Sequence, residues 1–216
     1  MKRLFIYDLD GTLVDTLEGL LCATNDTLRV LQAPPVSAEE VRRAVGRGVH
    51  ELVKECLKTQ DPKALEHAVN VFRSYYARHA VETSRLFPGA KELLDHFVQR
   101  RQAVLTNKPN PFATDILKVL GMADYFFQIV AGDSGFPKKP DPASARELMR
   151  QSGAAAAETV FIGDSPIDID TARRAGIMSV SVLHGFTDEP ELTAAKPDLL
   201  VKDFPELLRI AKGQSW

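Results

Sequence analysis

The chain has 216 residues, 44% of them hydrophobic and 26% charged, with a formal net charge of −2. That composition suits a globular protein holding one large domain or a core with a smaller insert. It supplies no basic field for nucleic acid or an anionic membrane, and no apolar run approaches a membrane span.

In chain order, Leu4-Phe5-Ile6-Tyr7 reads as a strand buried on both faces. Lys2-Arg3 ahead of it could open a secretory leader, but Asp8 and Asp10 interrupt the apolar run before one can form. Cys22 and Cys56 make no metal or redox motif, so a cytoplasmic protein with reduced thiols is expected. From Leu17 the period becomes helical, with Leu17, Leu20, Leu21, Thr24, Leu28 and Leu31 on one face. Asp15 and Glu18 have capping-box spacing at its start, and Pro34-Pro35 ends it. Ser37 and Glu40 repeat the capping-box pattern, and Asp61-Pro62 supplies a cap and a first-turn proline for another helix. The stretch from about Val14 to Arg85 is therefore expected to be helical, without strands.

After Phe87-Pro88-Gly89 strands and helices alternate. Strands are expected at Ala103-Val104-Leu105, near Ile129-Val130, at Thr159-Val160-Phe161-Ile162 and at Ser179-Val180-Ser181-Val182. The helices between them stop at Gly121, Gly153 and Gly176, where left-handed stops are expected. This order implies an α/β, Rossmann-like three-layer core with a parallel sheet, residues 1–14 and 86–216. The helical stretch, residues 15–85, interrupts it after the first strand as an inserted all-helical cap domain.

Four segments carry the chemistry: Asp8-Leu9-Asp10-Gly11-Thr12-Leu13, Thr106-Asn107, Lys139-Pro140 and Gly163-Asp164-Ser165-Pro166-Ile167-Asp168. Each alone has an ordinary reading as a turn, loop or helix cap. Together they fall at or after the carboxyl ends of strands, where open parallel sheets bind ligands. Two carboxylates as close as Asp8 and Asp10 repel unless a cation is present. Mg2+ suits such an oxygen set, and Asp164 and Asp168 can complete its surroundings. Asp8 could then attack phosphorus while Asp10 moves a proton. Thr106 and Asn107 could hold phosphoryl oxygens, and Lys139 supplies fixed positive charge. Gly11 lets backbone approach the phosphate, and Gly163 would do the same beneath Asp164. Lys108 could help screen phosphate or be a solvated loop lysine.

These residues resemble the motifs of the haloacid dehalogenase superfamily, specifically its phosphatases with a helical C1-type cap inserted after the first motif. Asp8-x-Asp10-Gly11-Thr12-Leu13-Val14-Asp15, Thr106-Asn107-Lys108, Lys139-Pro140-Asp141-Pro142 and Gly163-Asp164-Ser165-Pro166-Ile167-Asp168 carry the resemblance, which covers essentially the whole chain. It implies Asp8 as nucleophile and Asp10 as general acid/base. It also implies a Mg2+ held by Asp8, the Asp10 backbone carbonyl and Asp164, with Asp168 in support. Within the superfamily the chain is most similar to phosphoglycolate phosphatases, by Val45-Gly46-Arg47-Gly48, the Gly132-Asp133 to Lys139-Pro140 stretch, and His184-Gly185-Phe186.

The expected activity is Mg2+-dependent hydrolysis of a small phosphorylated metabolite through an aspartyl phosphate, with 2-phosphoglycolate the leading substrate. A 5′-nucleotidase or pyrophosphatase, a sugar phosphomutase and a catalytically silent binding protein are the alternatives on the same scaffold. Arg47 could clamp a substrate carboxylate, or be an exposed arginine in a glycine turn.

Overall fold

The computed structural model describes residues 1–214 and 216. The first half of the chain runs β1 (Leu4–Tyr7), β2 (Val14–Asp15), α1 (Leu17–Val30), α2 (Ala38–Ala44), α3 (Val49–Leu57), α4 (Pro62–Thr83) and β3 (Arg85–Leu86). It continues with α5 (Ala90–His96), β4 (Arg101–Leu105), α6 (Phe112–Val119), β5 (Gln128–Val130) and α7 (Ala143–Ser152). The last part holds β6 (Thr159–Gly163), α8 (Pro166–Ala175), β7 (Met178–Val182), α9 (Glu189–Ala195), β8 (Leu199–Val201) and α10 (Phe204–Gly213).

Six strands form one parallel sheet in the order β5-β4-β1-β6-β7-β8. β1 lies between β4 and β6, and all four of its side chains are fully buried. Phe5 and Tyr7 point into a cluster with Leu93, Phe97 and Phe204, while Leu4 and Ile6 join Ala103, Leu148 and Phe161 on the other face. Each such side chain removed from water contributes roughly 1.5–3 kcal/mol. A strand apolar on both faces therefore belongs at the centre of a covered sheet. The one polar atom Tyr7 brings inside is satisfied, because its hydroxyl donates to Gln102 Oε1 at 3.0 Å.

Helices α1 to α4 occupy the sequence between β2 and β3. These two strands pair antiparallel as a two-residue ribbon, Val14 with Leu86 and Asp15 with Arg85. The sequence carries no strand signal there, because two residues are too few to show a period of two. The Asp15–Glu18 capping box does not form either. Thr16 is the N-cap of α1, and Asp15 Oδ1 accepts from the Leu17 amide instead. α1 also stops before the prolines, where Gln32 takes a φ of 55° and the Ala33 amide turns back to the Leu28 carbonyl.

The Ser37–Glu40 box forms in both directions, Asp61 caps α4 with Pro62 in its first turn, and Gly153 and Gly176 end α7 and α8 in the left-handed conformation. Beyond Val182 the chain adds α9, β8 and α10; α9 and β8 are short, whereas α10 carries a legible start, Asp203 capping and Pro205 in its first turn, that the sequence reading did not use. Among the described residues no helix is long and apolar enough to cross a membrane.

Candidate active site

Asp8 follows the last residue of β1, Thr106 the last of β4, and Asp164 the last of β6. Parallel pairing aligns these ends, so three strand termini deliver three side chains to one crevice. Lys139 arrives from the loop after β5, and Asp168 from the first turn of α8. Asp8, Thr106, Lys139, Asp164 and Asp168 are all buried.

Ligand oxygens of Asp8, Asp164 and Asp168 lie within 4.8 Å of one another. Lys139 Nζ stands 2.7 Å from Asp168 Oδ1 and 2.8 Å from Asp8 Oδ1. Lys139 thus donates to Asp168 and ion-pairs with Asp8. Among the described residues that ammonium is the partner Asp8 Oδ1 has. Asp164 is held on both oxygens, by the Thr12 hydroxyl at 2.8 Å and the Phe186 amide at 2.8 Å. It is also wedged between two glycines. A Cβ on Gly11, whose φ is +79°, would stand 2.2 Å from Asp164 Oδ2, and one on Gly185 would stand 2.3 Å from Asp164 Cβ. Gly163 likewise makes room for Asp168, which a Cβ there would meet at 2.4 Å.

Three carboxylates crowd this pocket with one ammonium, which contacts Asp8 and Asp168. Burial pushes the Asp164 carboxyl up to about 8, helped by the charges of Asp168 and Asp8 and opposed by its two hydrogen bonds. Burial also raises Asp8, with Lys139 pulling it back and Asp168 and Asp10 adding to the rise. Burial alone would discharge Lys139, but Asp168 and Asp8 outweigh it and hold the ammonium above its ordinary value. A buried excess of negative charge and an all-oxygen donor set of three clustered carboxylates fit a divalent cation.

Asp10 belongs to a second, neutral pair. Its Oδ1 accepts from Lys108 Nζ at 2.8 Å and from the Thr16 hydroxyl at 2.6 Å, while Oδ2 has no protein donor among the described residues. Lys108 is no solvated loop residue. Its side chain is 2% exposed, and it donates a second hydrogen bond to the Tyr76 hydroxyl at 2.6 Å.

The Thr106 hydroxyl accepts from the Lys108 amide and keeps its own proton to donate. Asn107 is committed elsewhere: its amide nitrogen donates to the carbonyls of Gly46 and Lys139, and its oxygen accepts from the Lys139 amide. That leaves no free side-chain amide hydrogen for a phosphoryl oxygen. Arg47 lies on the rim, exposed, lining a cleft of about 600 Å3 that reaches down to Asp8, Asp10 and Asp164. A smaller cavity of about 40 Å3 opens on Asp8, Asp10, Thr106 and Lys108 beneath apolar walls from Leu20, Val45, Val49 and Leu52.

Sequence reasoning passed over Thr12, Thr16 and Tyr76, which fasten Asp164, Asp10 and Lys108. For Tyr76 a signal was present. It continues the buried face Leu65, Val69, Phe72 of α4, where a phenol hydroxyl needs a partner.

A parallel sheet carrying aspartates at two adjacent strand ends, with a lysine paired to the first of them and a second aspartate two residues past it, defines a class of hydrolases. The chain belongs to the haloacid dehalogenase-like hydrolase family, whose model matches residues 5–182. A phosphoglycolate phosphatase from Vibrio parahaemolyticus is 33% identical over 219 residues, covering 96% of this chain and 95% of that one. One from Rhodospirillum rubrum is 36% identical over 200 residues, covering 88% and 83%. Among solved structures, a predicted phosphoglycolate phosphatase from Haemophilus somnus superimposes with a TM-score of 0.92 at 29% identity, covering 97% of this chain and 98% of that one. CbbY from Rhodobacter sphaeroides, solved in complex with phosphate, gives 0.82 at 26% identity and covers 96% of each chain. The chain is an enzyme of that family, a phosphatase.

Proposed function

We propose that this phosphatase hydrolyses 2-phosphoglycolate to glycolate and phosphate by transferring the phosphoryl group to Asp8, with Mg2+ as the cation. The observation that carries the reading is the setting of Asp8, a buried carboxylate at the foot of the cleft, paired with Lys139 and clustered with Asp164 and Asp168. Asp8 and Asp164 would hold the cation together with the Asp10 backbone carbonyl, and Asp168 supports them by anchoring Lys139. When bound, the cation neutralises the pocket and draws charge from the phosphoryl oxygens.

The remaining work falls to this chain's own groups. Asp8 attacks phosphorus and the ester oxygen leaves with a proton from Asp10. Oδ2 is the atom suited to that transfer, because Oδ1 is already engaged by Lys108 and Thr16. Asp10 then takes a proton from the water that opens the aspartyl phosphate. Lys139 and the Thr106 hydroxyl stabilise the phosphoryl oxygens. Asn107 acts as a strut, tying the Gly46 loop to the Lys139 loop. The segment 15–85 serves as a cap domain over the core, residues 1–14 and 86–216, and its small apolar cavity suits a short leaving group.

Purified protein assayed on 2-phosphoglycolate, nucleoside monophosphates, pyrophosphate and hexose phosphates, with Mg2+ and with chelator, tests this reading. The expected profile is Mg2+-dependent phosphate release highest on 2-phosphoglycolate and abolished in D8N. Release by folded D8N at the parental rate would end the mechanism, and a higher rate on a nucleotide would end the substrate assignment.

A further inference from the structure

Asp10 is a core residue, yet half of what holds its side chain comes from the helical segment. Thr16 opens α1, and Tyr76 lies past the middle of α4. Tyr76 does not touch Asp10. It reaches Lys108, whose buried ammonium it shares with Asp10, Oη at 2.6 Å on one side and Asp10 Oδ1 at 2.8 Å on the other. The same ammonium lies 4.5 Å from the centre of the Tyr76 ring. The ring is fixed independently of its hydroxyl, stacked on Phe72 at 5.3 Å and edge-on to Phe112 of core helix α6 at 5.0 Å.

A lysine this buried needs acceptors for its N–H groups, since stranding a buried charge costs more than losing the bond. Remove the phenol oxygen and, among the described residues, Lys108 keeps Asp10 Oδ1 as its one side-chain acceptor. The ammonium can then follow Asp10 or leave its line with Oδ1. Either way the oxygen that must face substrate is no longer fixed. Displacing α4 from the core would do the same, because Tyr76 travels with it.

We propose that Tyr76 is a positioning residue: through Lys108 it fixes Asp10 for proton transfer, and so ties acid/base work to the seating of α4 on the core. This rests on the reading of Asp10 as the group that moves the proton. Tyr76 touches neither substrate nor the reacting atoms, and its effect is confined to steps in which a proton moves.

The test is Y76F, which keeps the ring packing and deletes one oxygen. On an alkyl phosphate monoester, whose leaving oxygen needs a proton, kcat should fall about tenfold, the rate equivalent of one hydrogen bond to a charged group, with KM nearly unchanged. Single-turnover phosphorylation by p-nitrophenyl phosphate, whose leaving group needs little help, should change far less. In the K108M background the Y76F substitution should add almost nothing, because both act through one path. An equal loss on both substrates, a change in KM alone, or a full further loss on top of K108M would overturn the proposal. If K108M does not fold, the leaving-group contrast in Y76F decides alone. A parental D8N activity would instead remove the underlying mechanism, so the two failures are distinguishable.

Discussion

Arg47 is carried by a loop whose glycines, Gly46 and Gly48, have φ values of +114° and +92°, a backbone that places the guanidinium on the cleft rim. The loop is fastened at its base, where the Asn107 amide donates to the Gly46 carbonyl at 2.9 Å. A planar five-donor fork on a fixed loop is suited to a carboxylate at the end of a substrate remote from its phosphate. R47A should therefore raise KM for 2-phosphoglycolate by roughly tenfold, the scale of one hydrogen bond to a charged group. KM for a neutral phosphate ester of similar size should hardly move. Steady-state kinetics on the two esters checks it, and equal increases on both would reduce Arg47 to an exposed turn residue.

At the scale of elements, α8 shows how a helix start and a reactive pocket use one residue. Ser165 caps the helix, Pro166 fills its first turn, and Asp168 completes the box by accepting from the Ser165 amide at 3.1 Å and hydroxyl at 2.7 Å. Those bonds occupy Oδ2 and leave Oδ1 for Lys139 at 2.7 Å. S165A should cost about 1 kcal/mol as a lost cap. That corresponds to about 2–4 °C in Tm for a chain of this size. Because the same carboxylate aims Lys139, kcat should fall several-fold as well, and S165T should restore both. Calorimetry beside kinetics would show a purely structural cap if Tm dropped while kcat stayed.

This element also shows what the sequence made legible. Ser-Pro-x-Asp following an apolar run announces strand, cap and helix together, because every signal is local. The same holds for β1 with Asp8 and for β4 with Thr106. Lys108 was not legible, because its burial is imposed by Tyr76, 32 residues upstream and on another element. The β2–β3 ribbon hid for the opposite reason: its two-residue strands show no period, and each is defined by the other.

Over the whole molecule, the site and the stability of the fold pull in opposite directions when no cation is bound. The carboxyls of Asp8 and Asp164 are raised by burial above their ordinary range near 4, Asp164 to about 8. Between those limits the folded protein holds protons that the unfolded chain has released. Stability then falls as pH rises through that window. His184, held neutral by burial with its Nε2 against the Thr12 carbonyl, acts with the opposite sign. Its pKa is lowered, so its contribution is present above the ordinary histidine range near ~6.5 and fades below it. Above ~6.5 the carboxylates act alone, and the chelator-treated protein should lose Tm steadily from there to pH 8. Saturating Mg2+ should reverse the trend, since a cation binds the deprotonated ligands and stabilises the fold by mass action. D8N removes one of the crowded charges, so its metal-free Tm should lie above the parent at pH 8 and change less with pH. Thermal unfolding of both proteins across this range, with chelator and with Mg2+, decides the matter. A metal-free parent whose Tm held level or rose would mean that the pocket accommodates its three carboxylates without a cation.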